Sequence, residues 1–185
     1  MTTQTLDALK PNRAPRRWRA LINLVGLFAP AVLFPLGLLA LAGQHPRFAW
    51  LLEPSRHPWE LWCMAACGVV ATAGGVGDWV FHRLYVTVGP HEHHSHKLAL
   101  LTGGVPLFAL MVAASLIERP LLLLIPVIVV ALYTSALIAY DEFVFHRKRC
   151  TTFETILHRL LVFGNGAAWL AWCHFCFVRP LPHDL

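Results

Sequence analysis

Five long apolar stretches, separated by short polar segments, dominate the chain at about residues 18–42, 59–81, 98–117, 121–145 and 156–178. Each reaches the roughly 20 residues that an α-helix needs to cross a bilayer. Glycine and proline fall inside them (Pro30, Pro35, Gly103, Gly104, Pro106, Pro126). Membrane helices tolerate such residues because neighbours and water satisfy the freed backbone groups. The first stretch is longer than the apolar core of a secretory signal, and no small-residue cleavage site follows it, so it reads as a retained helix. The pattern predicts an all-α integral membrane protein of about five transmembrane helices, with a basic segment at 1–17 and a single transmembrane domain over 18–185.

Composition sharpens that picture. Of 185 residues, 57% are hydrophobic and only 14% are charged, where a soluble domain carries about a quarter. Lys10, Arg13, Arg16, Arg17 and Arg19 precede or open the first helix. Arg83 and Lys97 flank the second-to-third connection, and Arg147, Lys148, Arg149 and Arg159 the fourth-to-fifth. The other connections and the tail hold only Arg47, Arg56, Arg119 and Arg179. The positive-inside rule puts the N-terminus and the two basic connections on the cytoplasmic side, and the C-terminus outside, as in a bacterial inner membrane. The net charge of +5 reports this topology. It does not indicate nucleic acid, since no basic groove with a stacking platform is present.

Inside the apolar frame a polar pattern repeats. Residues 78–83 read DWVFHR and residues 142–147 read EFVFHR. EHHSHKL follows at 92–98 and ETILHRL at 154–160, and Gly103-Gly104 then falls opposite Asn165-Gly166. The halves span about 59–117 and 119–178. In each, one helix ends in an acid and Phe-His-Arg, and the next opens with Glu, three residues and His. Both run in the same sense, so they suit parallel repeats about an axis along the membrane normal.

An acid and a histidine four apart on a helix share one face. Four such pairs occur: Asp78 with His82, Glu92 with His96, Glu142 with His146, and Glu154 with His158. Folding the duplicated helix pair into a four-helix bundle would aim all eight side chains at one point near the cytoplasmic edge. Ionisable groups in membrane segments are costly and default to function.

Carboxylate and imidazole donors suit iron, manganese or zinc, and eight of them suit two ions, iron first and zinc as the alternative. His93 is a further candidate ligand. His91 and His94 suit proton handling or a solvated turn, and Asp141, about 100° around the helix from Glu142, suits a structural or outer role. Arg83, Lys97, Arg147 and Arg159 balance the charge or meet headgroups. The donor chemistry resembles that of four-helix bundles holding two irons through glutamates and Glu-x-x-His pairs, but differs in spacing. It also differs from the HxxxH and HxxHH boxes of membrane desaturases and alkane hydroxylases. His91 and His96 are five apart, so no HExxH zinc-protease motif is formed. Cys173-His174-Phe175-Cys176 has metal-knuckle spacing but no second pair, and Cys63, Cys67 and Cys150 read as small apolar residues or carry no motif.

These features predict a membrane-bound di-iron oxidoreductase that activates dioxygen to hydroxylate or desaturate a lipid-like, apolar substrate. With no flavin, nicotinamide or iron–sulfur motif in the chain, electrons are expected from a cytoplasmic ferredoxin or reductase. A zinc-dependent membrane lipid hydrolase is the alternative, needing about four of the eight groups. A b-type haem electron-transfer protein with axial histidines is the third reading.

Overall fold

The computed structural model describes residues 17–44, 46–85, 90–146 and 151–179, with side chains described throughout except at 17–24, 26–31, 47, 90–93 and 145–146. The described residues are helical, with no strand among them. Helix α1 covers Arg17–Gln44, followed by 3-10 turns at Pro46–Leu52 and Pro54–Arg56. Helix α2 covers Trp59–Tyr85 and α3 Pro90–Leu98. A π-helical segment, Ala99–Gly104, joins α3 to α4, Val105–Leu116. A 3-10 turn at Pro120–Leu123 leads into α5, Leu124–Asp141, which continues as a π segment, Glu142–His146. Helix α6, Thr152–Cys173, ends in a third π segment, His174–Val178.

Among the described residues, four helical stretches are long and apolar enough to cross a membrane: Trp59–Tyr85, His94–Leu116, Pro120–Val144 and Thr152–Val178. They carry the second to fifth stretches expected from the sequence. Helix α1 is continuous over its 28 residues, and Val32–Gln44 is its apolar run among the described side chains, shorter than a span. Along Pro120–Val144 large apolar side chains such as Leu121, Leu122, Ile125, Val129 and Leu132 are exposed, surface that water would not readily accept. The histidine-rich stretch after residue 89 is helix rather than loop. It opens on Pro90, whose fixed φ and missing N–H suit a first helical position.

The chain divides into two compact units. The first consists of α1, α2 and the Ile156–Ala171 stretch of α6. Its centre is a close approach of two helix backbones. A Cβ at Gly74 would lie 2.8 Å from both Leu157 O and Leu161 N, and one at Gly164 would lie 2.9 Å from Ala71 N. Small residues permit such contact between membrane helices, where dispersion replaces the hydrophobic drive. Just before α2 the His57 ring, near the rings of Trp50 and Trp62, donates through Nε2 to Leu51 O at 2.8 Å.

The second unit consists of Thr87–Thr155 and Trp172–Arg179. Here a Cβ at Gly103 would meet the Thr134 side chain, 2.7 Å from Oγ1, and the Thr102 and Tyr133 hydroxyls bond at 3.0 Å. Both contacts tie the π segment after α3 to α5. The Trp172 indole N–H donates to Ser115 Oγ at 2.8 Å, and that hydroxyl donates to Met111 O at 2.9 Å. Met111, Ala114, Val127 and Cys176 fill the unit's small apolar core.

Candidate metal centre

In the first unit the sequence spacing acts as expected along α2: Asp78 and His82 face the same way, with Oδ1 3.8 Å from His82 Nε2. Gly74 lies one turn before Asp78 on that face, and it is against Gly74 that Leu157 of α6 packs. The next residue is His158, whose Nδ1 stands 4.0 Å from the same Asp78 oxygen. One carboxylate thus stands between two imidazoles, all three side chains only 13–16% exposed. Both separations exceed a hydrogen bond. They are of the order of the distance between two ligands of one ion, since bonds of about 2.0–2.2 Å put neighbouring donors roughly 3–4 Å apart.

The second unit makes a direct bond instead. His96 Nε2 lies 3.0 Å from Asp141 Oδ2. A carboxylate only accepts, so the imidazole donates. Asp141 is 7% exposed, and His96 is half-buried. Spacing alone pairs His96 with Glu92 and gives Asp141 an outer role. The Glu92 side chain lies outside the described residues; in the structure Asp141 reaches His96. Asp141 is the last α-helical residue of α5 and Glu142 opens the π segment; Glu142 is half-buried. The neighbouring acid is visible in the sequence, but the partner opposite it is not.

Both contacts cross the sequence repeat. Asp78 lies on the first helix of the first half and meets His158 from the second half. Asp141 lies on the first helix of the second half and meets His96 from the first.

Glu154 is 1% exposed and closes a helix start. Its Oε2 accepts the Thr151 N–H at 3.3 Å, while its own N–H donates to Thr151 Oγ1 at 3.2 Å. This reciprocal capping box has a legible signature, Thr-x-x-Glu, which competes with the ligand role that the repeat suggests. Arg83 stacks 5.2 Å from the centre of the Trp79 ring, one turn back on α2. His94 is exposed. Glu60, which no motif marks, is 1% exposed in the first turn of α2, where the helix dipole favours an acid. The side chains of His91, Glu92, His93 and His146 lie outside the described residues, as do Arg147, Lys148 and Arg149 entirely.

The donor types fit a hard or borderline divalent metal. Among the described residues, however, no group of three His, Cys, Asp or Glu side chains is placed to hold an ion. Cys173 and Cys176 likewise form no such group; the Cys176 sulfur lies 3.5 Å from Ser115 Oγ. No family model, curated protein or solved structure matches the chain.

Proposed function

We propose that this chain is an integral protein of a bacterial inner membrane and a di-metal oxidoreductase, its two ions iron, that uses dioxygen to hydroxylate or desaturate a lipid-like substrate. One observation carries the reading: each compact unit brings a carboxylate against imidazole near the end of a membrane-length helix. Carboxylate and imidazole side chains together are the donor types that a divalent ion of this kind requires, and ionisable groups in membrane segments default to function. Asp78, His82 and His158 would hold one ion, and His96 with Glu142 the other. Glu92, His93 and His146 are the further candidate donors. Glu154 contributes through the capping box that starts α6 and keeps His158 in register.

Iron supplies the oxidising chemistry when bound. Hydroxylating one C–H bond consumes one dioxygen, two electrons and two protons, and yields an alcohol and water. The electrons come from a cytoplasmic ferredoxin or reductase, reaching the side of the membrane that the basic residues mark as cytoplasmic. The protein's own contribution is to orient imidazoles, to keep water away, and to open apolar helix faces to a substrate dissolved in lipid.

Metal analysis of the detergent-purified protein, with an optical spectrum of the same sample, tests this reading. About two irons per chain and no Soret band are expected, and His158→Ala and His96→Ala should each lose iron. One zinc per chain would replace oxidation by hydrolysis. A Soret band would replace it by haem electron transfer. Protein that takes up no metal would end the metal reading altogether.

A further inference from the structure

We infer that Cys63 and Cys67 form a binding site for Cu(I), apart from the acid and imidazole clusters and independent of the di-iron reading. The two cysteines lie four apart on α2, so they share one face of the helix, one turn from each other. Their sulfurs stand 3.9 Å apart, and both residues are free thiols, half-buried. Asp78 lies eleven residues farther along α2, about 16 Å at 1.5 Å per residue, so the two places share no ligand.

The donor set selects the ion. Zinc in a structural site takes four ligands, and manganese or magnesium prefers oxygen. Thiolates and thioethers select Cu(I), a soft ion that two or three sulfurs satisfy. Such a site asks for no third His, Cys, Asp or Glu, a set that the described residues do not provide. Two sulfurs 3.9 Å apart, each about 2.3 Å from an ion, subtend roughly 115° there. That is close to the angle of a trigonal site, and a small turn of either side chain opens it toward the linear two-sulfur form. Met64 follows Cys63 and stands three residues before Cys67, and residues three apart are also neighbours on a helix. It is buried, at 9% exposure, and brings a thioether to the same two turns. The backbone below is held as well: a Cβ at Gly164 would lie 3.0 Å from Cys67 O, so α6 packs against the turn that carries the pair. On binding, two S–H bonds break and two Cu–S bonds form. Two protons leave, and copper stays monovalent.

The test is anaerobic titration of the reduced, full-length protein in detergent with Cu(I) held by bicinchoninate, followed by copper X-ray absorption of the loaded sample. About one Cu(I) per chain should leave the competitor, and its first shell should contain sulfur alone. Cys63→Ser and Cys67→Ser should each lose that copper to bicinchoninate, with a thermal midpoint close to wild type. Wild-type protein that takes no copper from the competitor would overturn the inference. Copper retained by the double variant Cys63→Ser, Cys67→Ser would also overturn it, as would nitrogen or oxygen in the first shell of the wild-type sample, a result that needs no variant to fold. The di-iron reading stands or falls separately, on the iron content of the protein.

Discussion

In the unit built on α2, one carboxylate stands between two imidazoles at 3.8 and 4.0 Å; in the unit built on α5, one carboxylate bonds a single imidazole at 3.0 Å. The packing beneath them differs in the same way. Gly74 of α2 faces backbone atoms of α6, whereas Gly103 faces the side chain of Thr134. Backbone against backbone fixes a spacing that no rotamer change can relax, so Asp78 and His158 are set by the helices themselves. A contact made through a side chain can adjust, and a direct hydrogen bond then closes the gap. Rigid helix contact and local bonding are two ways of bringing the same residue types together.

The comparison breaks most sharply at Gly74. Gly74→Ala adds a Cβ 2.8 Å from Leu157 O and Leu161 N and should cost about 3 kcal/mol through forced separation of the helices. Thermal unfolding in detergent should record it, and, on the proposed di-iron reading, loss of iron from the Asp78 set alone would locate the damage. Next in size is Ser115→Ala, which removes the hydroxyl that accepts from Trp172 Nε1 and should cost about 1.5 kcal/mol.

Gly103→Ala should cost about 1 kcal/mol, less than Gly74→Ala, because the atoms it meets, Thr134 Oγ1 at 2.7 Å and Cβ and Cγ2 at 3.2 Å, belong to a side chain rather than to backbone. If Gly103→Ala proved as damaging as Gly74→Ala, the contrast between backbone and side-chain contact would be wrong. Smallest is Thr151→Ala, which removes one partner of the capping box and should cost about 1 kcal/mol or less. On the proposed di-iron reading its iron content should match wild type. A large loss of iron in that variant would mean that Glu154 serves the ion more than the helix start.

Much of this is legible along the chain. The second to fifth apolar stretches form membrane-length helices, because length and composition suffice for that inference. The Asp78 and His82 pairing also follows from spacing, since residues four apart on a helix are one turn apart. Other features are invisible to ligand spacing. Glu154 carries a capping signature, and one of its oxygens serves Thr151. Asp141 meets His96 across two helices, a pairing that no spacing along the chain marks.

The sequence by itself determined the helical class, the apolar spans, the repeated acid and histidine pattern and the small residues that allow helices to touch. Only the tertiary structure decided that Asp78 meets His158 and that Asp141 meets His96. Helical periodicity reaches one turn along the chain. A meeting between residues on different helices depends on how far one helix slides and rotates against another, and that register is set by the contacts at Gly74 and Gly103 rather than by any local spacing.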